Sequence, residues 1–195
     1  MATKRRMGPE NAVKRTALLD AVEALMREEG YAALSARNVA KRAGLKYQIL
    51  FYYFETMDDL LLAAYRRRTE SVLERIEEAL ASSQPLHAFW ELWSDPEGAA
   101  LTIEYMALSN HNEMVRAETA AFGEQMRQLV AGRLAGRLRQ PVEDQAFTAL
   151  AVTMSLVSVG AILGFESALG IEGGHKEAEA LVDWCVDQLE SPAAA

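Results

Sequence analysis

The 195-residue chain has a single cysteine, Cys185, which excludes an intramolecular disulfide framework. Its three histidines lie far apart, and with one cysteine they make a poor metal set. His111-Asn112-Glu113 has the His-x-Glu spacing of a zinc deaminase, but no Pro-Cys-x-x-Cys follows to complete that site. No glycine-rich phosphate loop of the Walker or dinucleotide-binding type occurs, and there is no nucleophile elbow. No catalytic constellation, cofactor or metal is therefore expected, and the chain reads as a non-enzyme. Alternating β-branched runs are lacking outside segments of helical spacing, so the expected fold class is all-α.

Basic residues are scarce in most of the chain and concentrated at one end. Residues 1–68 hold 13 Lys/Arg and 8 Asp/Glu, a net charge of +5, whereas residues 69–195 hold 7 and 20, a net charge of −13. A basic first third on an acidic body fits a protein that meets a polyanion with one end only. Lys4-Arg5-Arg6, Lys14 and Arg15 read as a basic arm, with Gly8-Pro9 arguing against helix through it. No apolar stretch follows the arm, so it is not a secretion signal, and a cytoplasmic protein is expected.

Residues 33–54 read as two short helices hinged at Gly44. Ser35 is placed to cap the first, and Gly44 to end it, because glycine accepts a left-handed turn that other residues resist. Leu45, Ile49 or Leu50, and Phe54 are available for the inner face of the second helix; Lys46, Tyr47, Gln48 and Tyr52 are left to face outward. The pattern fits an ordinary helical hairpin or a helix-turn-helix whose second helix reads DNA. Upstream, Ala17, Leu18, Ala21, Val22, Ala24, Leu25 and Met26 form a helical stripe ending at Gly30. Downstream, Thr56 and Asp59 have the spacing of a capping box and open another helix.

Together these segments resemble the TetR family of bacterial transcriptional regulators. The matching pieces are Leu18-Leu19-Asp20-Ala21-Val22, Glu29-Gly30-Tyr31, Asn38-Val39-Ala40, Ala43-Gly44-Leu45, Tyr53-Phe54 and Leu60-Leu61, within about the first 65 residues. The resemblance implies a helix-turn-helix domain over 1–56 with the basic arm, and a ligand-binding and dimerisation domain over 57–195. It implies double-stranded DNA, a small-molecule effector and a second copy of the chain as partners, in a repressor released from a palindromic operator. Ser35, Arg37, Lys46, Tyr47, Gln48, Phe51, Tyr52, Thr56 and Met57 are the expected DNA-facing residues. Three departures stand out. The family usually has tyrosine at Phe51 and lysine at Met57, both phosphate contacts, and small residues at Gln48 and Ile49. These departures motivate the competing reading, a helical small-molecule-binding or adaptor protein that has lost operator binding.

The acidic body divides at breaks into helices over about 57–81, 86–93, 96–109, 113–138, 141–169 and 176–189. Residues 146–165 carry no charge and are long enough to cross a bilayer. Thr148, Thr153, Ser155, Ser158 and two glycines make the stretch only moderately apolar, so a membrane partner is rejected in favour of a helix covered on every side. Phe147, Leu150, Ala151, Met154 and Ser158 are assigned to the domain interior. Val152, Leu156, Val159, Gly160 and Leu163 are assigned to a homodimer interface, joined by Leu181, Val182, Trp184, Cys185 and Leu189 of the last helix. From the resemblance, Trp90, Trp93, Tyr105, Met106, Phe122, Met126, Phe147 and Met154 are the candidate lining of an apolar effector pocket. His87, Asn110 and His111 are its candidate polar groups.

Overall fold

The computed structural model describes residues 9–139 and 148–190. Among them the fold is all-α: α1 (Pro9–Glu29), a 3-10 turn (Tyr31–Ala33), α2 (Ala36–Arg42), α3 (Tyr47–Tyr53), α4 (Met57–Ala81), α5 (Pro85–Trp93), α6 (Pro96–Ser109), α7 (Glu113–Leu134), α8 (Ala149–Ala168) and α9 (His175–Leu189). The single β-type pairing among the described residues is an isolated bridge between Leu138 and Glu190. Lys14 and Arg15, read from sequence as part of an arm, lie inside α1. The helix expected over 113–138 stops at Leu134, because Gly136 at φ 71° turns the chain toward the Leu138 bridge. Thr148 caps α8 by accepting from the Ala151 N–H at 3.2 Å. The expected start of that helix near Pro141 lies outside the described residues.

The chain forms two compact units. One comprises the described residues up to Arg68 together with Glu104–Glu118. Its core is built from Leu18, Val22, Leu25 and Met26 of α1, Val39 and Ala40 of α2, Leu50 of α3, and Phe54. Leu60, Leu61, Ala64 and Tyr65 of α4 are buried in the same unit, so it extends past the boundary expected at residue 56. The ion pairs of Arg67 with Asp20 (2.6 Å) and Glu23 (2.8 Å) flank this α1–α4 seam. From the 104–118 segment come Tyr105, Leu108 and Val115, all buried.

The second unit comprises Thr69–Ile103 and the described residues from Thr119 onward. Its apolar core gathers Ile76 and Leu80 of α4, Leu86, Phe89 and Trp90 of α5, Met126, Val130 and Leu134 of α7, Val152, Leu156 and Leu163 of α8, and Val182, Val186 and Leu189 of α9. The two faces of α8 are thus reversed from the sequence assignment. Val152, Leu156, Gly160 and Leu163 are buried within the chain, and Val159 packs against the same core. Leu150, Ala151, Met154 and Ser158 are exposed, and so are Ile162 and Phe165. The physical reason is the glycines. A Cβ at Gly160 would stand 2.5 Å from the Trp93 carbonyl oxygen, and one at Gly164 would stand 2.1 Å from the Ala99 Cβ. The small residues mark where neighbouring helices of the same unit come closest, and both faces are equally uncharged, so hydropathy alone does not separate them. Of the five α9 residues assigned to the interface, Val182 and Leu189 are likewise core residues, Cys185 is half-buried, and Leu181 and Trp184 face out.

α8 is also the one helix among the described residues long and apolar enough to cross a membrane. Its inner face is taken up by the second unit's core.

Candidate nucleic-acid interface and effector region

The turn between α2 and α3 is built by local chemistry. Ser35 Oγ accepts from the Asn38 N–H at 3.2 Å, and Asn38 Nδ2 donates to the Ala33 carbonyl at 2.8 Å, so both ends of the loop before α2 are tied. α2 closes in a Schellman motif: Leu45 N–H donates to Ala40 O at 2.8 Å and Gly44 N–H to Lys41 O at 3.1 Å. Gly44 sits at φ 68°, the left-handed conformation this motif requires. α3 is then held from below by Leu50 and followed by the buried Phe54. Tyr47, Gln48, Phe51 and Tyr52 project outward, with Lys46 exposed at the start. This is the geometry of a reading helix, one face anchored and the other free to enter a groove.

Most cations of this unit are already committed. Arg42 forks onto Glu28, Nη1 lying 2.7 Å from Oε2. Arg66 reaches Glu118 at 2.7 Å, and the Arg15 guanidinium lies 5.1 Å from the centre of the Phe54 ring. Arg37 and Lys46 are exposed and make no ion pair with the described residues. Tyr53 donates its hydroxyl to Asn11 Oδ1 at 2.9 Å and stands edge-on to Tyr52 at 5.0 Å. Tyr52 is therefore braced, with its own ring outermost. Thr56 and Asp59 form the expected reciprocal cap: Asp59 N–H donates to Thr56 Oγ1 at 3.1 Å, and Thr56 N–H donates to Asp59 Oδ2 at 3.0 Å. Met57 is half-buried at the start of α4. The Lys4-Arg5-Arg6 arm lies outside the described residues.

Sequence reasoning missed the part played by residues 104–118. Glu104 Oε2 accepts from the Tyr31 N–H at 2.7 Å, next to Gly30 at φ 80°. His111 stacks on the Tyr31 ring at 5.8 Å, and Asn112 donates to Asp58 at 2.8 Å. Tyr105 packs edge-on to Tyr65 at 5.0 Å, with the Arg68 guanidinium 5.9 Å from its ring centre. Burial pushes the Tyr105 hydroxyl far above its ordinary range, Glu23 adding to the shift and Arg68 opposing it. Burial also pulls the Arg68 guanidinium down from its usual value. The Tyr105 hydroxyl has no hydrogen-bond partner among the described residues. No short-range sequence signal marks these contacts, since each joins residues at least 37 positions apart.

The candidate effector residues separate. Trp90 and Met126 are buried in the core of the second unit, with Trp93 and Phe122 packed on it. Phe89 and Trp93 tilt against each other at 6.2 Å, and the Trp93 Nε1–H is buried without a partner among the described residues. Tyr105 and His111 belong to the first unit, and Asn110 is exposed there. Met106 and Met154 face solvent, and Phe147 lies outside the described residues. His87 is a clasp: Nδ1 lies 2.6 Å from Glu190 Oε2 and Nε2 lies 3.1 Å from Asp187 Oδ1. The Glu190 carboxylate also accepts from the Leu86 N–H at 2.8 Å, capping α5. Of the expected lining, Trp90, Trp93, Phe122 and Met126 converge on the core of the second unit.

Residues 18–64 match the family profile described as bacterial regulatory proteins, tetR family. The chain is 38% identical over 65 residues to the HTH-type transcriptional regulator PksA of Bacillus subtilis, and that match spans only 32% of PksA. It is 30% identical over 164 residues to an HTH-type transcriptional regulator in the dhlA 5' region of Xanthobacter autotrophicus, covering 76% of this chain and 78% of that one. Among solved structures, a transcriptional regulator of Saccharomonospora viridis in complex with choline superposes at TM-score 0.74 with 19% identity, covering 92% of this chain and 99% of the other. A TetR transcription regulator of Haloarcula marismortui gives TM-score 0.71 with 18% identity over 92% and 100% of the two chains. These two share the fold. With the helix-turn-helix built and faced as described, and with a relative aligned over three quarters of its length, the chain belongs to the TetR family of bacterial transcriptional regulators.

Proposed function

We propose that the protein is a cytoplasmic homodimeric repressor that holds a palindromic operator and releases it when a small apolar or aromatic molecule binds. The outward face of α3 carries this reading: Tyr47, Gln48, Phe51 and Tyr52 stand free on a helix whose inner side is held by the buried Leu50. Gln48 is suited to pair with adenine, and Lys46 with guanine or a phosphate. Two copies of α3 would meet successive major grooves about 34–36 Å apart or slightly more. The second copy is supported by Leu150, Met154, Ile162 and Phe165 on α8 with Leu181 and Trp184 on α9, an exposed apolar set in need of cover.

Trp90, Trp93, Phe122 and Met126 are the residues we assign to the effector, the unpartnered Trp93 N–H offering one donor. α4 places Leu60 and Ala64 in the core of one unit and Ile76 and Leu80 in that of the other. A ligand that repacks the second core acts on the first through this helix. It need only bind the released form better than the DNA-ready form. Operator and ligand must then weaken each other equally, with a coupling of about 1–3 kcal/mol.

The test is a titration of duplex DNA, selected by the protein from a random pool, followed by tryptophan fluorescence with trial ligands. A ligand that quenches Trp90 and Trp93 and binds equally well with and without operator excludes the release mechanism. The competing reading, an effector-binding or adaptor protein without operator binding, rests on Phe51 and Met57 in place of two phosphate contacts. It is favoured only if the pool yields no preferred duplex.

A further inference from the structure

We propose that Phe51 is a specificity-determining residue that reads the 5-methyl group of thymine in the operator. The inference rests on the operator-binding reading above. Leu50, at 0% exposed, and the following Phe54 hold the inner side of α3, while Tyr47 and Phe51 are each 46% exposed. They are four residues apart, so their rings share one face. Gln48 is the only amide on the exposed side, and Lys46 is the only cation next to it.

A phenyl ring has no atom that accepts or donates a conventional hydrogen bond. Phe51 therefore cannot hold a phosphate, nor pair with the polar edge of any base. Of the two tyrosines that follow it, one is left for phosphate contact. Tyr53 already donates to Asn11, and Tyr52, braced edge-on against Tyr53, is the exposed hydroxyl left for the backbone.

The major groove displays one apolar group, the C5 methyl of thymine. A helix that enters this groove with a half-exposed phenyl ring gains only where that methyl meets the ring and both leave water. Against any other base edge the ring desolvates polar atoms without replacing their hydrogen bonds. The minor groove, about 6 Å wide, does not admit the helix that carries the ring. Tyr47, one turn earlier on the same face, extends the apolar strip toward the next base pair and leaves Gln48 to the adjoining polar edge.

Deoxyuridine differs from thymidine only by this methyl, so the experiment removes one group from the DNA and one from the protein. Duplexes are selected from a random pool with the full chain. Each thymine of the selected site is then replaced singly by deoxyuridine, and Kd is measured by fluorescence anisotropy for wild type, Phe51→Ala and Phe51→Tyr. The expected result is one thymine in each half-site where the replacement weakens wild-type binding by about fourfold, the worth of one buried methyl. Phe51→Ala weakens binding to the thymine site and binds both duplexes alike at that position. Phe51→Tyr keeps the ring and keeps the discrimination. Because Phe51 is exposed, both variants retain the wild-type helical circular dichroism. If no replacement changes wild-type binding, or if Phe51→Ala discriminates as the wild type does, the proposal is overturned. If the pool yields no preferred duplex, operator binding itself fails, and the proposal with it.

Discussion

Replacing Gly160 by alanine should destabilise the protein, although alanine is the better helix former. The added Cβ would lie 2.5 Å from the Trp93 carbonyl oxygen, 2.8 Å from its carbonyl carbon and 3.0 Å from its Cβ. A relaxed carbon–oxygen contact is about 3.3 Å or longer, so α5 and α8 must separate by several tenths of an ångström. The obstacle is backbone at the end of α5, where Ser94 N–H already donates to Trp90 O at 3.0 Å, and it cannot swing aside as a side chain can. Overpacking of this kind costs about 1–3 kcal/mol, against a helix-propensity gain of about 1 kcal/mol. The net expectation is a loss of up to about 2 kcal/mol, the balance of those two effects. Gly123 on α7 is the internal control, because nothing lies within 4 Å of an added Cβ there. Gly123→Ala should gain about 0.5–1 kcal/mol. Urea unfolding at one fixed protomer concentration, followed by tryptophan fluorescence and by circular dichroism, measures both variants. If Gly160→Ala raises the midpoint as Gly123→Ala does, the close α5–α8 approach is wrong, and so is the reversed assignment of the α8 faces that depends on it.

Tyr105→Phe should leave stability at pH 7 unchanged or raise it by about 1 kcal/mol, since it removes an unpaired buried hydroxyl. The folded-state pKa is raised above the ordinary 10.0, so the unfolded chain loses this proton first. The stability of wild type relative to Tyr105→Phe should fall above pH 10 by about 1.4 kcal/mol per unit; a flat difference curve would show that water reaches the hydroxyl in the folded protein. Ile162→Arg, on the exposed face of α8, should yield monomer or aggregate in sedimentation; an unchanged dimer would move the interface elsewhere. Thr56→Ala removes one half of the α4 capping box and should cost about 1 kcal/mol in urea unfolding, with an unshifted midpoint counting against the cap. Gln48→Ala should cost about 1–3 kcal/mol of operator binding and relax preference at one base per half-site; an equal loss on every duplex would make Gln48 a backbone contact.

Local chemistry was enough to read the amino-terminal helices. Ser35, Gly44 and the Thr56/Asp59 pair act on backbone groups within a few residues of themselves, so their hydrogen bonds follow from spacing. The outward set on α3 follows too, because one amphipathic helix has only one side to bury. The all-α class and most helix bounds were legible for the same reason: Pro85 and Pro96 open helices, and Gly30, Gly44 and Gly170 close them in left-handed turns. What the residues of α8 face was not legible. Both sides of that helix are apolar, and only the approach of the Trp93 carbonyl and Ala99 to Gly160 and Gly164 decides which side turns inward. The neighbours of the candidate effector residues were not legible for a related reason. Aromatics and methionines announce burial without naming the neighbour: Tyr105 and His111 joined Tyr65 and Tyr31 of the first unit, and Trp90 and Met126 joined the core of the second. His87 was taken by Glu190, more than a hundred residues away, a pairing that no periodicity encodes. Sequence determined what each segment does with its own backbone; tertiary packing decided which long-range partner each side chain obtained, because that choice depends on shape and on the competition among many equally apolar neighbours.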